Sequence, residues 1–577
     1  MAISVFGVAQ TPIVLFSNIQ TSPTSNVPGL PAQFAIGTTI QFDRPFVSPN
    51  GLWWAFRALT TLPSTENEII LTGQFMTRAG AQVIAREGTP TGFDGSINFG
   101  TLRTSLGIDD LANVAFSADT TWPTTDDDVV VRWSGVQTLI AREGEPIPGM
   151  AGLGYGNLHN AVHLVANGQT RFRSAGLVGA VSQQVLLSNT SISSGSIVAQ
   201  AGDVPGNQLV APSQTMENFT SDRFRSDASG ANTIYHGDLT GPTATDLVMV
   251  SNGNVIAQEG VPLPNSPFAE GVSSFSADAG SQQLSNYGGH YIFRGSNGIT
   301  NDDWVYMDGS VIARTDRPIT PGNTELWDDA PFAANFFLNC VNSNGDYVVG
   351  GTTNAANANA NAVLVLNGTT ILVREGDPVD VDGNGLADDD AYVSVFNNDD
   401  AVLLDDGRFM FFADLRNSGG GSIGQAAMFV ARPTIFGRVN LEDFHGDITT
   451  VPVTIEVRAV GSTVPLHTEV VHLDADGRYQ TATTLPPGTY DVTAKAPHWL
   501  RQRLSSVPLT ASGIAGIDFS LANGDLDGDN EIAIGDYAVV SQTFGTSDPS
   551  GDVNGDGEVD IGDVALVSAN FGRVGDD

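Results

Sequence analysis

A chain of 577 residues is long enough for several domains with separate cores, and a hydrophobic content of 41% fits folded domains rather than disorder. Its formal charge of −39, with Lys+Arg 25 against Asp+Glu 64, argues against nucleic-acid and anionic membrane-surface partners and in favour of cation binding. No apolar run reaches the ~18 residues needed to span a bilayer, and the single cysteine, Cys340, leaves no internal disulfide to form.

The first stretch, Met1 to Gln20, has no basic leader and no sustained apolar segment. The expectation is that a signal peptide has been removed or that export takes another route.

Residues 1–433 contain an internal repeat, a strand followed by a turn. It recurs as Ile84-Ala-Arg-Glu-Gly-Thr-Pro90, Ile140-Ala-Arg-Glu-Gly-Glu-Pro146, Val198-Ala-Gln-Ala-Gly202, Ile256-Ala-Gln-Glu-Gly-Val-Pro262, Ile312-Ala-Arg-Thr-Asp-Arg-Pro318 and Leu372-Val-Arg-Glu-Gly-Asp-Pro378, at intervals of 56 to 60 residues. An apolar strand precedes each copy, and the turn pairs Ser134-Gly135, Asn252-Gly253, Asp308-Gly309 and Asn367-Gly368 predict type I′ hairpins.

A second series of turns, Asn50-Gly51, Asn167-Gly168, Asn344-Gly345 and Asp406-Gly407, leads into aromatic or β-branched strands. Four short strands per unit, seven times over, predict a seven-bladed β-propeller. The last blade lacks a fourth strand, and Val5–Pro12 parallels Val83–Pro90, so residues 1–12 are expected to complete it, with 13–45 a loop plus the first inner strand. The repeat resembles the tandem NxxGxxxAF-type repeats of large secreted bacterial proteins, a resemblance that implies no activity.

Between the sixth repeat and the next strand, Asp380, Asp382, Asn384 and Asp388 stand at positions 1, 3, 5 and 9 of a calcium-type loop, with the Leu386 carbonyl at 7. Asp126-Asp127-Asp128 has no such spacing and reads as a solvated turn. His159 and His163 lie in strand-like sequence and read as core or surface residues, and the repeated Arg-Glu pairs read as structural. No nucleophile elbow, zinc signature or phosphate loop is present.

Residues 435–521 alternate as half-buried strands around Leu485-Pro-Pro-Gly-Thr-Tyr-Asp-Val492 and resemble the prealbumin-like or carboxypeptidase-regulatory β-sandwiches of secreted proteins. Lys495 is the only lysine of the chain.

Residues 523–577 hold two loops of equal spacing: Asp525, Asp527, Asp529, the Glu531 carbonyl and Asp536, then Asp552, Asn554, Asp556, the Glu558 carbonyl and Asp563. Such spacing wraps oxygens around one hard dication. Gly557 turns the second loop sharply and Asn530 takes that place in the first. Apolar stripes follow at helical spacing, Tyr537, Val540 and Phe544, then Val564, Val567 and Phe571, and each ends at a glycine.

The duplicate loop–helix unit, with Asp at position 12, resembles the dockerin modules of cellulose-degrading complexes. The resemblance implies a small α-helical EF-hand pair, two bound calcium ions (a third at Asp380–Asp388 follows from that loop) and a cohesin-like partner. The residues at loop positions 10 and 11, Ile534-Gly535 and Ile561-Gly562, depart from the usual hydroxyl pair. The expected chain is mainly β and extracellular or at the cell surface. Three functions stay open: a non-catalytic binding or scaffold protein recognising a glycan or another surface protein, a self-assembling layer or filament protein, and a carbohydrate-active enzyme with paired carboxylates at the propeller mouth.

Overall fold

In a computed structural model, the chain is described over residues 11–36, 41–74, 77–165, 168–174, 177–178, 184–210, 213–267, 269–276, 278, 280–298, 302–328, 335–382, 388–430, 434–474, 477–483, 485, 488–509, 514 and 516–577. It is mainly β and forms two compact units, which divide at Val430.

Among the described residues, the first unit contains seven successive antiparallel sheets plus a two-stranded ribbon, Gly154–Tyr155 with Leu177–Val178. The first sheet shows the pattern: Phe46–Val47, Trp53–Leu59, Glu68–Gln74 and Gln82–Arg86 pair in chain order. The fifth has one strand more, because Gln282–Leu284 and Val272–Phe275 both pair with Tyr291–Asn297.

The repeated Arg-Glu-Gly turn has a physical cause. Gly88, Gly144, Gly202, Gly260 and Gly376 all have φ between 73° and 98°, and Asp316 holds the same place at 58°. In that left-handed conformation each amide turns towards the chain that leads into the next sheet. Gly88 donates to the Phe99 carbonyl, Gly144 to Tyr155, Gly202 to Met216, Gly260 to Val272, Asp316 to Trp327 and Gly376 to Val393, at 2.8–3.1 Å.

A Cβ on Gly88 would stand 2.7 Å from the Thr65 carbonyl oxygen. Gly88→Ala is therefore expected to lower stability by about 1–2 kcal/mol through the left-handed backbone alone. Asp316→Gly, at the equivalent place, should shift it by under ~1 kcal/mol. Urea unfolding of the two variants checks the pair.

The turn chemistry follows the sequence in part. Asn252-Gly253, Asp308-Gly309 and Asn367-Gly368 have positive φ at both residues, as a type I′ turn requires. At Ser134-Gly135 only the glycine does, and the Ser134 amide donates to the Val136 carbonyl, so this loop is wider.

Seven apolar clusters join the sheets pairwise. Six lie between consecutive sheets, for example Phe116 and Val131 of the second with Ile70 of the first. The seventh joins the last sheet to the first through Leu15, Phe16, Met410 and Phe412 against Trp54, Phe56 and Leu71.

The last sheet does take its fourth strand from near the N-terminus, but that strand is Ile13–Ser17, pairing with Ser422–Val430 from Ile13↔Phe429 to Ser17↔Ala426. The segment expected to fill this place, Val5–Pro12, lies outside the described residues up to Gln10, and Thr11 and Pro12 are not in a strand. Burial explains the difference: Val14, Leu15 and Phe16 are each under 5% exposed, an apolar run suited to a strand covered on both faces.

The second unit opens with two sheets face to face. One is Pro465–His472, Pro452–Ala459, Gly488–Lys495 and Gln502–Leu509; the other is Arg478–Ala482, Thr434–Leu441 and Phe519–Leu521. Ile455, Val457, Val492, Trp499 and Phe519 fill the space between them. Two helices follow, α1 (Ile534–Thr543) and α2 (Ile561–Asn570).

The sandwich and the helices share a core. Leu500 and Ala522 pack with Ile532, Val553 and Val567, and the Asn523 side chain donates to the carbonyls of Glu442 and Val553. The helical stripes are only half buried: Val540 and Val567 are covered, whereas Phe544 and Phe571 are 52% and 54% exposed.

Candidate functional site

The first acidic loop brings its carboxylates to one point. Oxygens of Asp525, Asp527 and Asp529 lie within 4.8 Å of one another. The Asp529 amide donates to Asp527 and the Glu531 amide to Asp529, so each turn of the loop aims the next ligand inward. Asn530 has φ 71°, the left-handed turn that position 6 needs. Asp536, fully buried, accepts from the amides of Leu526, Asp527 and Ala533, which ties the loop to the start of α1.

The crowding has an electrostatic cost. The Asp527 carboxyl is held above its usual range by desolvation, with the Asp536 and Asp529 charges adding to it.

The second loop repeats this construction. Asp552 accepts from the amides of Gly555, Asp556 and Gly557, Asn554 from Asp556, and Asp556 from Glu558. Asp563 accepts from Val553, Asn554 and Asp560 at the start of α2. The loops are also fixed from behind: the Ile532 amide donates to the Arg573 carbonyl, and Val559 to Thr546.

Composition gave no sign of the contact that Lys495 makes. Its Nζ donates to Asp525 Oδ2 at 2.5 Å and to the Trp499 carbonyl at 2.9 Å. Asp525 is wholly buried, and its Oδ1 has no hydrogen-bond partner among the described residues. A buried carboxylate oxygen left without a donor is costly unless a cation completes it. The chemistry of the donor set, all hard oxygen, fits a calcium ion.

At the third loop, the carboxylates that converge are Asp380, Asp382 and Asp389. Asp389 accepts from the amides of Val381 and Asp382, so it folds back into the group where the loop spacing nominated Asp388, which is exposed. Asn384 and Leu386 lie outside the described residues. The Asp380 backbone is pinned to the closing strand: its amide donates to the Pro12 carbonyl, and its carbonyl accepts from Val14.

The histidines and acidic runs in the seven-sheet unit find structural places. His159 is fully buried between Tyr155 and Phe172, and burial pulls it down to about 4. Asp126-Asp127-Asp128 is less solvated than expected: Asp128 is 2% exposed and binds Arg103 at 2.8 Å, and Asp126 binds the repeat arginine Arg142. Repeat arginines Arg86, Arg314 and Arg374 likewise meet Glu66, Asp302 and Glu325.

A cavity of about 110 Å³ opens where the innermost strands converge. Its wall takes residues from Phe46–Val47, Phe99–Ile108, Asn160–Val165, Met216–Ser226, Gln282–Leu284, Phe336–Val341 and Tyr392–Leu403, one strand from each of the seven sheets. Among the described residues, that wall contains Arg44, His163 and Arg225 and no carboxylate.

Residues 19–204 match the model of a family of unknown function (DUF7453). No curated protein matches. Among solved structures, a type II cohesin–X–dockerin complex from Acetivibrio cellulolyticus is similar at 23% identity over 25% of this chain and 97% of that one, with a TM-score of 0.21. The Dos1 propeller is similar at 10% identity over 68% of this chain and 94% of that one, TM-score 0.33. An α-L-arabinanase from Penicillium chrysogenum is similar at 12% identity over 62% and 98%, TM-score 0.25.

Proposed function

We propose that this chain is a secreted, calcium-binding recognition protein. In this reading the seven sheets are the blades of a β-propeller closed by Ile13–Ser17, and the sandwich carries a dockerin-like calcium module. Support for the ring comes from the cycle of seven inter-sheet clusters and from one cavity that every innermost strand lines. Support for calcium comes above all from Asp525, buried with an unpartnered oxygen beside Asp527 and Asp529.

The calcium module is also a docking element for another protein, of the cohesin kind or of similar shape. Its two halves expose matched apolar residues, Ile534 with Ile561 and Phe544 with Phe571, all more than half exposed. Paired patches of this kind on a small module need a partner surface to cover them.

Calcium titration of the full chain by calorimetry, with metal analysis of the purified protein, tests the reading. Two ions are expected in the tail and a third at the Asp380 loop, and Asp525→Ala with Asp552→Ala should remove two of the three. An unchanged calcium content in the double variant would overturn it.

A further inference from the structure

The cavity at the centre of the seven sheets is an electrostatic exception in this chain. Carboxylates outnumber cationic side chains by 64 to 25, yet among the described residues the wall holds two arginines and no acid. The arginines differ in their ties. Arg225, 6% exposed, donates from Nη1 to the carbonyls of Asp222 and Phe224. Arg44 makes no hydrogen bond and no ion pair among the described residues, and its Nε is buried without a partner.

Of the acids near this pair, two are held by other arginines. Asp43 is bound by Arg57, and Asp399 is held by both Nη atoms of Arg294 at 2.5 and 2.7 Å. Asp222 accepts from the Ala161 amide, and burial raises the Asp400 carboxyl against the pull of the Arg44 charge. His163 lines the same wall and brings no charge, since burial, with Arg225 next, pulls it down to about 3. Burial, and after it the Arg44 charge, draws the Arg225 guanidinium down to about 9, with the Asp222 and Asp399 charges opposing.

We infer that this cavity is an oxyanion site in which Arg44 and Arg225 hold a carboxylate or a tetrahedral oxyanion, with Gln283 and Asn286 of the wall as further polar partners. A guanidinium presents paired donors that match either kind of oxyanion. The low-dielectric wall strengthens that attraction. The inference deepens the recognition reading of the seven-sheet unit by giving its ligand an anionic group, and it stands apart from the calcium loops.

The test is a calorimetric titration of the full chain at low ionic strength with sodium sulfate and, separately, sodium acetate, repeated on Arg44→Met and Arg44→Lys. One site per chain is expected for at least one of the two anions, and which one binds assigns the tetrahedral or the carboxylate chemistry. Arg44→Met should weaken it about tenfold or more, the effect of a lost charge-assisted hydrogen bond, and Arg44→Lys should restore part of the loss. Because Arg44 makes no hydrogen bond or ion pair among the described residues, Arg44→Met should melt no lower than the parent. Silence with both anions, equal affinity in Arg44→Met, or a clear fall in its melting temperature would overturn the site. Calcium content unaffected by these changes would leave the calcium reading as it stands.

Discussion

In excess chelator, Lys495→Met is expected to lose the first loop and α1 well before the parent protein does, whereas with calcium present the two should behave almost alike. Asp525 is 0% exposed, and the Lys495 ammonium at 2.5 Å is its only cationic partner among the described residues. Removing one member of such a buried pair costs about 3–5 kcal/mol, because the other charge stays out of water uncompensated. On the proposed calcium reading, a bound ion would supply the missing positive charge, and the penalty would fall on the metal-free state alone.

By linkage, a variant destabilised only when empty gains more from the metal, and its calcium-dependent rise in stability should widen by that same amount. Hydrogen exchange at the amides of α1, with and without chelator, reads this locally, while exchange in the seven-sheet unit serves as an internal control. Equal widening in a surface control such as Arg478→Met, or no widening in Lys495→Met, would remove Lys495 from the site.

Much of this architecture is legible from residues that act locally. The Arg-Glu-Gly turns and the Asn-Gly pairs encode backbone conformations, and a repeat of them marks where each sheet ends and the next begins. The tail loops are legible for the same reason: Asp525, Asp527 and Asp529 lie close in sequence as well as in space.

What sequence did not give depends on distance along the chain. Lys495 meets Asp525 across 30 residues and Arg44 shares a wall with Arg225, and no spacing rule connects such pairs. The closing strand was displaced for another reason. Val5–Pro12 imitates the repeat, but a strand covered on both faces favours the buried apolar run Val14–Phe16 over the closer sequence match. Asp389, rather than Asp388, joins Asp380 and Asp382 because it accepts from the Val381 and Asp382 amides, a fold-back that loop spacing alone does not encode.

Phe16→Ala is expected to destabilise the seven-sheet unit by about 3–5 kcal/mol, as a large aromatic deleted from a full core does. Phe16 is 1% exposed, and its ring lies 5.4 Å from Phe34, 5.6 Å from Trp54 and 5.9 Å from Phe56, edge to face in each case. These contacts tie the last sheet to the first. Closing a loop of some 400 residues costs roughly 2 kcal/mol more than closing one of ~60 by the logarithmic law, so this junction starts with less margin than those between consecutive sheets.

The variant should therefore differ in kind from Phe116→Ala, an equally buried change at a junction between consecutive sheets. Phe16→Ala should raise exchange together in the first sheet and in Ser422–Val430, and it should aggregate, because a freed Ser422–Val430 strand is an open sheet edge. Phe116→Ala should raise exchange around its own sheet and stay monodisperse. A Phe16→Ala protein that loses less than ~1 kcal/mol and sediments as the parent does would show that Ile13–Ser17 does not hold the sheets together.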